Sequence, residues 1–90
     1  MVDPVRQVVE AQAKAISRGL LSMWTVYDKP KDYPDATVAR RFEIEGGQER
    51  ATDDLLRASL EELRRVFDEA GLYRIMRVED DEPHIVEVWL

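Results

Sequence analysis

The chain has 90 residues, enough for one domain and too few for two, because a single hydrophobic core becomes self-sufficient above roughly 70 to 80 residues. Hydrophobic residues make up 44% and charged ones 36%, which is too apolar for a disordered chain and too charged for a membrane-embedded one. With 13 basic residues against 19 acidic ones the net charge is −6, so the long-range field repels nucleic acid and anionic lipid, and neither is expected as a partner.

Asp3 and Pro4 form a helix start, and Val5, Val8, Val9, Ala13 and Ile16 recur at helical spacing until Gly19, which predicts an amphipathic helix over 4–18. "LLSMWTVY" then reads as a strand, bounded by the Asp- and Pro-rich stretch "DKPKDYPD". "TVARRFEI" alternates Val38, Arg40, Phe42 and Ile44 against Ala39, Arg41 and Glu43, a second strand closed by Gly46 and Gly47. Thr52 is the expected cap of a long helix whose stripe is Leu56, Leu60, Leu63, Phe67 and Ala70, with Gly71 as its stop. "LYRIMRV" and "HIVEVWL" alternate around the polar turn "EDDEP", the pattern of a hairpin.

The expected order is therefore α-β-β-α-β-β, an α+β fold with a four-stranded, mainly antiparallel sheet packed on one long helix. Residues 1–90 form a single domain, with the N-terminal helix (1–19) as an additional element beside a ββαββ core (20–90). Alternation assigns Val38, Phe42, Ile44, Leu72, Met76, Val78, Val86, Val88 and Leu90 to the inner face. The outer face receives Tyr73, Ile75, Ile85 and Trp89, mixed with Arg41, Glu43, Arg77 and Glu87, more apolar area than a monomer usually leaves in water. The first helix or a second copy of the chain is expected to cover it. Trp24, Arg41, Tyr73, Ile75, Ile85 and Trp89 are thus interface candidates of a homodimer.

Chemistry-bearing motifs are sparse. The chain lacks cysteine, which removes disulfides and thiolate sites, and its one histidine, His84, has no second ligand of its kind. "EDDE" at 79–82 lacks the spacing and glycine of a calcium loop. Gly46 and Gly47 are followed by Asp53 and Asp54, which repel phosphate, and Ser17, Ser22 and Ser59 have no glycine elbow. No catalytic residue, metal or cofactor is assigned. No run approaches the roughly 18 apolar residues of a membrane span or resembles a signal peptide, so cytoplasm is the expected location and membrane is not an expected partner.

The loop between the first two strands is the one distinctive stretch. At about ten residues it exceeds the common hairpin, and Pro30 and Pro34 stiffen it. A stiff loop can present Tyr27, Asp28, Asp32, Tyr33 and Asp35 in a set geometry, or use them for local turn bonds. Arg40 alternates onto the face of Val38 and Phe42, where it must meet a loop aspartate or serve as an anion site. Arg41 points the other way, toward Trp24 or Trp89.

"MWTVYDKPKDYPDATVARRFEI", followed by a helix and "EDDEPHIVEVWL", resembles a group of small uncharacterised bacterial proteins with a domain of unknown function. They begin near "MWT[IV]YD", carry the same Pro-Asp-aromatic-Pro loop before "VARRF", and end in a similar "IVE.WL" strand. The resemblance covers about residues 23–90 and implies no activity, cofactor or catalytic residue; it marks the first helix as an addition of this chain. Three readings follow: a noncatalytic interaction module that self-associates and meets a protein partner through its 27–37 loop, a sensor or carrier of a small anionic ligand held by Arg40 and the loop, and an enzyme of unrecognised type.

Overall fold

The structure, a computed structural model, describes residues 3–76 and 83–90. Its elements are α1 (Pro4–Ser17), β1 (Leu21–Asp28), β2 (Thr37–Glu45), β3 (Gln48–Arg57), α2 (Leu60–Glu69), β4 (Arg74–Met76) and β5 (Ile85–Trp89). One five-stranded sheet in the order β3-β2-β1-β5-β4 has antiparallel partners throughout. The expected placements of Arg77 and Val78, of the Met76 side chain and of the 79–82 turn lie outside the described residues.

The α-β-β-α-β-β order and the four-stranded sheet are corrected by β3: residues 48–57, of which Thr52 is the expected cap and 53–57 the expected first turns of the long helix, form a third consecutive strand. Gly46 and Gly47 both take positive φ, 57° and 80°, the conformation of a two-residue hairpin turn whose twist matches the flanking strands. The turn lays Gln48 opposite Glu45 and carries the pairing on to Arg57 opposite Val38. Thr52 caps no helix. It sits where the register shifts, donating to the Arg41 carbonyl at 2.9 Å while accepting from the Asp54 amide at 3.2 Å. Helix α2 starts at Ser59, whose hydroxyl accepts from the Glu62 amide at 3.2 Å and donates to the Glu62 carboxylate at 3.2 Å. Leu56 reaches the core from the strand, whereas Leu60, Leu63 and Phe67 do so from the helix.

Both helices pack on the same face of the sheet. Val8 of α1 and Leu63, Val66 and Phe67 of α2 enclose Trp24 and Val26 of β1, Ala39 of β2 and Trp89 of β5. Trp24 and Trp89 are cross-strand neighbours, and the Phe67 ring lies 5.5 Å from each of theirs. Gln12 of α1 docks on this layer: its amide oxygen accepts from the Trp24 indole N–H at 3.2 Å and its amide nitrogen donates to the Ser22 carbonyl at 3.1 Å. Glu87, fully buried beneath α2, pairs with Arg64 at 2.9 Å and with Arg74 at 3.5 Å.

The assignment of faces is therefore the reverse of the expected one for β2 and for Glu87, Val88 and Trp89, whereas Leu72 is in the core and Ile75 and Ile85 lie on the side away from the helices, as expected. Arg41, Glu43, Glu87 and Trp89 lie under the helices with Trp24, whereas Val38, Phe42, Ile44 and Val88 lie on the opposite face. Val86 does pack toward the core, because a register shift between Val26 and Tyr27 breaks the alternation of β5 there.

The two tryptophans predict different costs of truncation. Trp24→Phe strands the Gln12 amide and removes buried area, and is expected to lower unfolding free energy by about 2–3 kcal/mol. Among the described residues the buried Trp89 indole nitrogen has no acceptor, so Trp89→Phe loses no hydrogen bond and is expected to cost about 1 kcal/mol less. Urea unfolding of both variants measures the difference; equal losses would remove the structural role assigned to Gln12.

Candidate functional site

No described helix covers the second face of the sheet. Strand pairing places there Leu21, Met23, Thr25 and Tyr27 of β1, Val38, Arg40, Phe42 and Ile44 of β2, and Leu55 and Arg57 of β3. Ile85 and Val88 of β5 and Ile75 of β4 complete it. Met23, Phe42, Ile44, Leu55, Ile85 and Val88 are half-buried by their neighbours alone, and Leu21 and Ile75 remain 49% and 46% exposed. Tyr73, bonded through its backbone to Leu90 beside the same edge, is 80% exposed. Among the paired positions of this face Glu49, opposite Ile44, is the only carboxylate; Asp53 lies in the irregular stretch of β3, where no strand pairing assigns it a face.

The loop folds back onto one end of this surface. Lys29 takes a left-handed conformation, φ 52°, and its amide bonds to the Ala36 carbonyl at 2.9 Å, closing the loop at its base. Further turns tie Tyr33 to Pro30 at 3.0 Å and Ala36 to Tyr33 at 3.2 Å, with Pro30 buried. The guanidinium carbons of Arg40 and Arg57 stand 6.0 and 5.9 Å from the Tyr33 ring centre. Arg40 is also ion-paired with Asp32.

Asp28 holds the base of the loop to β5: its amide donates to the His84 carbonyl at 2.8 Å, its own carbonyl lies 3.2 Å from His84 Nδ1, and its carboxylate accepts from Thr37 at 3.4 Å. Tyr27, Asp28, Asp32, Tyr33 and Arg40 thus gather at one end of the open face, while Asp35 is exposed beside Thr37 and Ser59.

The interface candidates divide between the two faces. Tyr73, Ile75 and Ile85 stand on or beside the open one. Trp24, Trp89 and Arg41 are turned inward. Arg41 bonds to Asp54 at 2.6 Å, Glu43 at 3.0 Å and Ser22 at 3.3 Å, and Glu43 also receives Arg50 at 2.9 Å and Arg18 at 3.4 Å. Hydrogen bonds from Arg50 and then Arg41 hold the Glu43 carboxyl below its ordinary value, against the opposing effect of burial. Met23, Phe42, Ile44, Leu55 and Val88 were not among the expected surface residues; the Gly-Gly hairpin, by adding β3, was the local sign of the wider sheet they share. Among the described residues no set of three or more carboxylate or imidazole side chains is placed to hold a metal ion, and no helix is long and apolar enough to cross a membrane.

The lowered Glu43 value gives a pH test. A carboxylate depressed in the folded state adds stability that is present above its ordinary value of 4.5 and is lost as pH falls through the lowered one. Glu43→Gln is expected to be less stable at neutral pH and to lose less stability than the parent on acidification, as measured by urea unfolding across that range. A parallel acid limb in the two proteins would show that the Arg41–Glu43–Arg50 contacts contribute nothing differential. Comparison with family models, with curated proteins and with solved structures finds no match to this chain.

Proposed function

We propose that this protein is a small noncatalytic interaction module that self-associates into a homodimer through its helix-free sheet face. The observation that carries this reading is the segregation of charge. In a chain of net charge −6, the strand carboxylates Glu43, Asp54 and Glu87 are paired with arginines on or under the helix-covered side. Glu10, Glu61, Asp68 and Glu69 are exposed on the helices. The open face is left with a nearly uncharged apolar centre, the surface that two copies of an acidic chain can bring together without like-charge repulsion.

The molecule measures 34 × 33 × 22 Å, so a broad side has room for the roughly 800 Å² per partner of a standard interface.

The anionic-ligand reading draws less support from the geometry. Arg40 is already satisfied by Asp32 and by the Tyr33 ring, and an incoming carboxylate or phosphate must displace that aspartate. Tyr27, Asp28, Asp32, Tyr33 and Asp35 are better read as the end wall of the face than as a binding pocket, and a protein partner at the 27–37 loop would meet them from outside.

Light scattering tests the proposal. The parent is expected to run at twice the 10.5 kDa of one chain, and Phe42→Glu and Ile75→Glu to run as folded monomers. Ile75 is half exposed, so its replacement leaves the fold intact by circular dichroism. A parent monomeric throughout the micromolar to millimolar range would overturn the reading.

A further inference from the structure

We infer that the two copies are related by a twofold axis running across the strands, so that β3 of one copy lies antiparallel over β3 of the other and Arg57 faces Glu49 of the second copy at each end. This inference rests on the proposed face-to-face dimer and names its geometry. Two equally twisted sheets stacked with their strands aligned keep a near-constant gap of about 10 Å, and a twofold axis in the plane between them can run along the strands or across them. The two choices differ in which ends of the sheets meet.

The loop decides against the first. Residues 29–36 join β1 to β2, the middle of the sheet, and their Tyr33 rests on Arg40 and Arg57 of the open face. An axis along the strands keeps like ends together and drives each loop into its copy, with Asp32 and Asp35 beside their own duplicates. An axis across the strands exchanges the ends. Each loop then stands over the far end of the opposite sheet, where Leu21 is 49% exposed and Ile44 is half-buried.

Charge on the edge strand favours the same choice. Arg57 pairs with Val38 and Glu49 with Ile44, so both belong to the open face at opposite ends of β3. Among the described residues Arg57 has no carboxylate partner and Glu49 has no basic one. Reversing β3 over itself places each beside the other twice per dimer, and both side chains are long enough to meet across the gap. Only this orientation brings together Arg57 and Glu49, the two charges that strand pairing assigns to the open face of β3.

The test is a charge reversal read in the dimer dissociation constant by sedimentation equilibrium at low salt. Arg57→Glu and Glu49→Arg are each expected to raise it by about tenfold or more, and the double variant to return it to within about threefold of the parent. Thermal unfolding of each variant, together with Ile75→Glu as a control, separates dimer loss from unfolding. If the single reversals leave the constant unchanged, or the double variant adds their losses, while Ile75→Glu still gives monomers, the axis is overturned and the face stands. If Ile75→Glu and Phe42→Glu both remain dimeric, or the parent is a monomer, the face is overturned and the axis with it.

Discussion

The contact of Trp24, Phe67 and Trp89 governs the arrangement of the rest. Trp24 belongs to the middle strand, Trp89 to its neighbour from the far end of the sequence, and Phe67 to the helix laid over both. Through Gln12 the same Trp24 also fixes the first helix. Aromatic side chains of this size each bury about 150–250 Å², so no other pair on β1 competes for the covered side. Because side chains alternate along a strand, committing Trp24 and Val26 inward commits Met23, Thr25 and Tyr27 outward, and the paired strands follow wherever their register is unbroken.

That commitment brings charge inside. Arg41 is the cross-strand partner of Trp24 and Glu87 that of Val26, so both must lie under or beside the helices. Buried charges are tolerated only when matched, and each is matched here, Arg41 by Asp54 and Glu43, Glu87 by Arg64 and Arg74. Glu87 has a second role, since Arg64 projects from α2 and its pairing fastens that helix to the sheet. The apolar character of the opposite face is the complement of this inward charge.

Periodicity made much of the fold legible: α1, β1, β2 and the C-terminal strands lie close to where spacing and turn residues place them. It failed at 48–57 because Leu56, Leu60, Leu63 and Phe67 continue one helical stripe, although Leu56 reaches the same core from a strand. Two shorter-range signals outweighed the stripe, the Gly46-Gly47 hairpin turn and the Ser59 cap bonded to the Glu62 amide. The inversion at β2 and at the end of β5 has a different reason. Alternation puts Arg41, Glu43 and Glu87 on the face away from the long helix, and only their partners on other strands and helices, invisible to local pattern, make burial beneath it tolerable. At the loop the expectation that Arg40 meets a preceding aspartate agrees with the Asp32 pair, because the two stand only eight residues apart in sequence.

The position of β1 bears on how the sheet closes. Its pairing with β2, and that of β2 with β3, joins residues close in sequence, a meander able to form early from short-range contacts. Its other edge is closed by β5, about sixty residues further along, which also supplies Trp89. Closure of that edge joins distant parts of the chain, a contact with a larger loop-closure cost than either turn of the meander. The seam between the middle strand and the last one, where the two tryptophans meet, is thus where the sheet depends on its longest-range contacts.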